Sequence, residues 1–356
     1  MTLATKLDDG LELYRVTCPV GVLCIIFEAR PEVNIQISAL ALKSGNAVIL
    51  KGGSEAAQSN KVLVEIFREA ISRVGGIPAD VIQLVASREA VDTLLTQDRY
   101  VDLIIPRGSA ELVRSIKTRS RIPVLGHADG ICSVYLDKAA NRDKAVSVVV
   151  DAKTTMVSAC NSAETLLVHE ALLESGVFAA VGEALLAAGV TIRGDERVLK
   201  HLPAGSPKVI KAVEQDFVTE FLDLVMAVRV VSSMEEAIDH INSHGSHHTD
   251  AIVTEDAEAA EKFMSLVDSG GVYHNASTRL ADGFRYGFGA EIGVSTNKTH
   301  ARGPVGLEGL VIYKYRVYGE GQGAGTYGSG PGKRKFIHEP IPAPEFHKHL
   351  KSKNNE

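Results

Sequence analysis

Short unbroken apolar runs alternate with stretches of helical spacing through the first 136 residues, and that order allows few architectures. Residues 20–27 are continuously apolar, which reads as a strand buried on both faces of a parallel sheet. Residues 46–50 read as another. After Lys51-Gly52-Gly53-Ser54 comes a helix. Its apolar residues Leu63, Ile66, Phe67, Ala70, Ile71 and Val74 share one face, and Gly75-Gly76 stops it. Residues 81–85 and 101–105 read as strands, Ser87 and Ser109 as caps of helices running to Leu95 and about Lys117, and residues 131–136 as a further strand. Such alternation implies right-handed crossovers and an α/β fold with a parallel sheet.

The second half also mixes elements. Residues 170–188 read as helix, a strand lies within 217–231, and 251–253 is a strand between helices at 234–241 and 258–267. Residues 10–17 and 310–318 alternate with a period of two, as half-exposed strands do. Exposed strand edges seek partners, so both are expected to pair across subunits, in a homodimer or higher homo-oligomer. The glycine-rich stretch 319–332 reads as a flexible loop, and Lys333-Arg334-Lys335 with the tail as solvated.

Net charge is −6 over 356 residues, which excludes nonspecific nucleic-acid binding through clustered positive charge. The longest apolar run of the first half is too short to span a bilayer, and no basic segment followed by an apolar one opens the chain. Cys18, Cys24, Cys132 and Cys160 have no paired spacing. They read as reduced thiols, which implies a cytoplasmic setting.

Cys160 sits in the turn Ser158–Thr165, between a helix-like stretch ending near Lys153 and a strand-like run at 165–168. A thiol in a small-residue turn at such a junction is a candidate nucleophile; the plain alternative is a buried apolar cysteine. No G-x-G-x-x-G opens a helix after a strand, and Gly287–Gly293 is off by one residue. Two strand-to-helix junctions are better nucleotide sites: Lys51-Gly52-Gly53-Ser54-Glu55 and Arg107-Gly108-Ser109. Each puts free backbone N–H groups and a helix N-terminus at the carboxyl end of a strand. His244, His247 and His248 lack a neighbouring cysteine or carboxylate at zinc spacing, so they read as a structural loop, and no metal is expected.

Seven segments together carry a resemblance: residues 19–33, 42–56, 102–113, 122–137, 160–169, 247–256 and 275–310. They closely resemble the gamma-glutamyl phosphate reductases (glutamate-5-semialdehyde dehydrogenases), the fungal form above all, over about residues 8–322. The resemblance implies the aldehyde dehydrogenase fold. A cofactor domain would span residues 1–155 with strand 8–18 in an oligomerisation flap, a catalytic domain 156–309, and an oligomerisation strand with tail 310–356. It also implies roles. Cys160 matches the catalytic cysteine, with Asn161 beside it. Lys51 and Glu55 match the adenosine-side positions, Gly108 and Ser109 the pyrophosphate turn, and Glu291 the nicotinamide-side ribose contact. Arg30 stands where oxidising relatives carry an oxyanion-hole asparagine. The oxidising enzymes' water-activating glutamate motif is replaced by Leu125-Gly126-His127-Ala128-Asp129-Gly130, which suits reduction. The family has a helical segment ahead of the match to residue 1. The sequence also departs from the family at Met156-Val157, Ser162 and residues 34–36.

The implied reaction is NADPH-dependent reduction of L-glutamyl 5-phosphate to glutamate 5-semialdehyde through a thioester on Cys160, with glutamate 5-kinase as a possible protein partner. Arg30, Arg107, Lys153, Arg279 and Arg285 are the candidates for holding carboxylate and phosphate. Alternatives are an oxidising aldehyde dehydrogenase, an inactive paralogue acting as a scaffold, and a piece of a fused kinase–reductase.

Overall fold

A computed structural model describes residues 3–87, 90–203 and 205–342. The alternating runs assemble into two parallel sheets. The smaller has the strand order Ile82–Leu84, Ala47–Gly52, Val22–Phe27, Leu103–Arg107. Val22–Phe27 lies inside it, with Leu23, Ile25 and Phe27 in one core and Cys24 and Ile26 in the other, which explains its unbroken apolar sequence. Helices Val33–Ser44 and Ala57–Val74 cover the first face. The helix Ala110–Arg119 contributes Ile116 to the other face, and Ser109 caps it, its Oγ accepting from the Leu112 N–H at 3.4 Å. Of the helix expected from Ser87, the described part is Ala90–Leu94; residues 88 and 89 lie outside the described residues.

The larger sheet has seven parallel strands in the order Val209–Lys211, Thr191–Gly194, Val225–Val231, Ala163–His169, Cys132–Leu136, Thr249–Val253, Gly271–His274. Cys132–Leu136 pairs with Ala163–His169 near its middle, and the helix Arg142–Thr154 packs Ala145, Val148, Val149 and Ala152 into its core. The change of sheet therefore comes ahead of the expected boundary at 155. Periodicity identifies an element's type but not the sheet it joins.

A third, antiparallel sheet runs Val311–Tyr318, Leu11–Pro19, Leu3–Asp8, Glu339–Pro340. The two alternating strands pair with each other over eight residues, from Val311↔Pro19 to Tyr318↔Glu12, which uses both edges of Leu11–Pro19 and leaves Val311–Tyr318 at the edge of the sheet among the described residues. The glycine-rich segment is also tied down. Tyr327 donates to Asp8 at 2.8 Å and Arg334 pairs with the same buried carboxylate at 2.6 Å. Arg334 thus partners the flap while remaining exposed, like Lys333 and Lys335 beside it. Among the described residues, no helix is long and apolar enough to cross a membrane.

Candidate active site

A cleft of about 500 Å³ opens between the two parallel sheets. Strand Leu103–Arg107 delivers Arg107, Gly108 and Ser109 to one wall from its carboxyl end. The opposite wall is the turn ahead of Ala163–His169, which carries Cys160 and Asn161. Arg30, Arg279, Glu220, His127 and Glu291 also line it.

The thiol is set by its surroundings. Burial pushes the Cys160 pKa up, but His248, and then Arg107, favour the thiolate and leave the group below its ordinary range. Burial likewise holds the His127 pKa down, against the pull of the Val294 carbonyl, to which its Nδ1 bonds at 2.8 Å. His248 Nδ1 meets Thr249 Oγ1 at 2.9 Å, and its Nε2 is buried without an aligned hydrogen bond. Nitrogen atoms of both rings and Cys160 Sγ lie within 4.8 Å of one another. The reading of His248 as part of a mere structural loop is corrected: the loop brings it onto the sulfur. His127 and His248 come from segments far apart in sequence, so no local spacing could announce them.

The Cys160 turn rests on backbone. A Cβ added to Gly130 would sit 1.9 Å from the Cys160 carbonyl oxygen and 2.6 Å from its Cα. The Gly130 N–H donates to Glu220 Oε1 at 2.9 Å, and burial raises the pKa of that carboxyl in the cleft. Asn161 Nδ2 donates to the Ala281 carbonyl at 2.9 Å, leaving its Oδ1 buried and unpaired.

The candidate cations separate. Arg30, Arg107 and Arg279 line the cleft, and Arg279 keeps a buried Nε without a hydrogen-bond partner. Arg107 Nη1 stands 3.8 Å from Glu291 Oε1, while Glu291 Oε2 accepts from the Gly283 N–H at 2.8 Å. Arg285 is outside the lining and donates to the Arg279 carbonyl, so it supports the cleft from behind. Lys153 is wholly buried against Glu164 at 2.6 Å, an internal ion pair rather than a ligand-facing cation.

Lys51 and Glu55 lie in a second cleft with Glu28, Asp92 and Arg119, on the other side of the start of helix Ala110–Arg119. Lys51 Nζ donates to the Gly52 carbonyl at 2.6 Å, and Glu55 accepts from the Ala29 N–H at 2.5 Å. Between the clefts, Glu28 Oε2 accepts from the Ser109 N–H at 2.9 Å. A carboxylate therefore already stands where this helix attracts an anion, so the turn fits a phosphate that displaces it.

Comparison with known proteins adds a family. The aldehyde dehydrogenase family matches residues 4–196. A probable gamma-glutamyl phosphate reductase of Schizosaccharomyces pombe is 54% identical over 344 residues, covering 96% of this chain and 76% of its own length. The gamma-glutamyl phosphate reductase of Acetivibrio thermocellus is 55% identical over 90% of this chain and 72% of its own. The crystal structure of the Thermotoga maritima gamma-glutamyl phosphate reductase superposes with a TM-score of 0.85 at 41% identity, covering 89% of this chain and 76% of that one.

Proposed function

The chain belongs to the gamma-glutamyl phosphate reductases of the aldehyde dehydrogenase family, and from that premise we propose how its own residues reduce L-glutamyl 5-phosphate to glutamate 5-semialdehyde and phosphate, a step of proline biosynthesis. The observation that carries the reading is one cleft holding a thiol whose pKa is held below its ordinary range, three guanidinium groups and the Ser109 helix start.

Cys160 thiolate attacks the γ-carbonyl carbon. The carbonyl electron pair moves onto oxygen, then returns as the C–O bond to phosphate breaks, and phosphate leaves with that pair. Arg30 and the Cys160 N–H are the donors assigned to the oxyanion, and one such donor is typically worth about 3–4 kcal/mol. Arg107 and Arg279 are assigned to phosphate and carboxylate, whose shapes suit guanidinium forks. A nicotinamide cofactor, when bound, supplies the hydride that turns the thioester into a thiohemiacetal. The C–S bond then breaks, the aldehyde departs and Cys160 is restored. The cofactor is assigned as NADPH; Lys51 and Glu55 would hold its adenosine side, Gly108 and Ser109 its pyrophosphate and Glu291 its nicotinamide side. All four cysteines are free, which supports work in a reducing cytoplasm. Exposed Ile312, Tyr313, Tyr315 and Val317 on the outer flap strand support a homo-oligomer, and a docked glutamate 5-kinase is part of the proposal.

The test is the reverse reaction, NADP⁺ reduction by semialdehyde. Cys160→Ala is expected to cut it at least about a thousandfold with the fold intact by circular dichroism. Retained turnover removes the thioester route. A second reading, oxidation with thioester hydrolysis, draws on Glu220 as a carboxyl in the cleft. It requires turnover without phosphate, which the same assay measures.

A further inference from the structure

We propose that Cys160, His127 and His248 form a reversible binding site for a thiophilic divalent cation of the zinc type, and that its occupancy silences the nucleophile. One ligand atom from each residue lies within 4.8 Å of the others. Tetrahedral zinc holds sulfur and nitrogen ligands about 3.3–3.6 Å apart by its usual bond lengths, so closure asks for side-chain shifts of about 1 Å. One nitrogen of each ring already has a partner. His127 Nδ1 is engaged by the Val294 carbonyl and His248 Nδ1 by Thr249 Oγ1, which frees Nε2 on each. That is the outer-shell arrangement that fixes metal-binding imidazoles. The rings stand edge to face with centroids 4.7 Å apart, and His248 Nε2 is a buried polar atom without an aligned hydrogen bond. The three ligands come from three segments: the loop before Cys132–Leu136, the turn before Ala163–His169, and the start of Thr249–Val253.

One thiolate and two imidazoles suit zinc or cobalt and not magnesium or calcium. Cys160 and His127 line the cleft, so a fourth position faces water or an incoming oxygen. On binding, the cation replaces the thiol proton, which passes to solvent; nothing is oxidised or reduced. The charge of the cleft decides the character of the site. Arg30, Arg107 and Arg279 share the lining, opposed by Glu220 and Glu291, and the guanidinium groups disfavour a second resident positive charge. Occupancy is therefore reversible and inhibitory rather than permanent.

This inference rests on the three side chains and not on the substrate assigned above, so it is tested without substrate. Co²⁺ is titrated into the purified chain. A thiolate-to-cobalt band in the near ultraviolet at one equivalent is expected, with Zn²⁺ abolishing it by displacement. Saturating Zn²⁺ is expected to slow iodoacetamide labelling of Cys160, read by mass spectrometry, at least tenfold, and EDTA to restore it. Cys160→Ser should remove the band, and His127→Gln should weaken cobalt binding at least tenfold, losing a ligand rather than the smaller outer-shell contribution. His127 carries the test because it lines the cleft, whereas a His248 replacement risks the fold; thermal melts of each variant check this. No band, a band that survives Cys160→Ser, or unchanged affinity in a folded His127→Gln overturns the site. Each of these outcomes leaves the reductase reading standing.

Discussion

The Ser109 wall of the cleft works with exposed groups, and the Cys160 wall with buried ones. Gly108, Ser109, Glu28 and Glu55 are all exposed, and what they offer is backbone N–H groups, a helix N-terminus and displaceable carboxylates. Behind Cys160, by contrast, Lys153, Glu164, Asn161 and His248 are almost fully removed from water. On the proposed assignment a long cofactor enters and leaves along the Ser109 wall, and groups whose desolvation costs little suit that task. A thiolate needs a fixed field, and dry surroundings make each nearby charge count for more. The same physics makes the buried wall the fragile one.

The severest challenge to that contrast is the Lys153–Glu164 pair. Glu164→Gln disturbs a buried, hydrogen-bonded pair and is expected to cost about 1–3 kcal/mol in denaturant unfolding at pH 4.5, whereas replacing both partners by apolar residues of similar size should cost far less. Burial pushes the Glu164 carboxyl up to about 7, with Lys153 pulling it back. A carboxyl raised in the folded state contributes stability that is present below its ordinary value of 4.5 and fades as pH rises through 7. The stability gap between wild type and Glu164→Gln should therefore narrow from pH 4.5 to 7. A gap that widens with pH shows the pair acting as a plain ion pair, and the dry-wall argument fails.

Gly130 sharpens the comparison within the catalytic wall. The atoms facing a new Cβ are the Cys160 backbone itself, which cannot swing aside as a side chain would. Gly130→Ala is expected to shift the sulfur and lower kcat by about a hundredfold, the cost typical of a 1 Å misplacement. Cofactor affinity, assigned by the proposal to the other wall, should stay within about twofold of wild type. Equal losses in both would mean that the walls are not independent.

The sequence made some of this legible and hid the rest for physical reasons. Continuous apolar runs such as residues 22–27 announce buried parallel strands because both faces are covered. Ser109 announced its cap because an N-cap is a local event. Short strands of mixed composition, Thr191–Gly194 and Gly271–His274, carried too little pattern to be seen and are held by their neighbours. Cys160 stood out through its turn and through the resemblance. His127 and His248 did not, since they meet only when Cys132–Leu136 and Thr249–Val253 pair side by side. Lys153 read as a possible ligand for the same reason in reverse: its partner Glu164 lies 11 positions away, on the far side of the turn.

The smallest expected effect is a gain on the exposed wall. Glu28 holds the Ser109 N–H with a full negative charge at a helix N-terminus, where a cofactor phosphate would have to compete with it. Glu28→Gln keeps an acceptor but removes the charge. A charge at that position is typically worth about 0.3–1 kcal/mol, so NADP⁺ should bind about two- to fivefold more tightly by calorimetry, with the iodoacetamide reactivity of Cys160 unchanged. Weaker binding would mean that Glu28 holds the cofactor rather than its place. In that case the exposed wall depends on fixed charge as the buried one does, and the contrast between them reduces to burial alone.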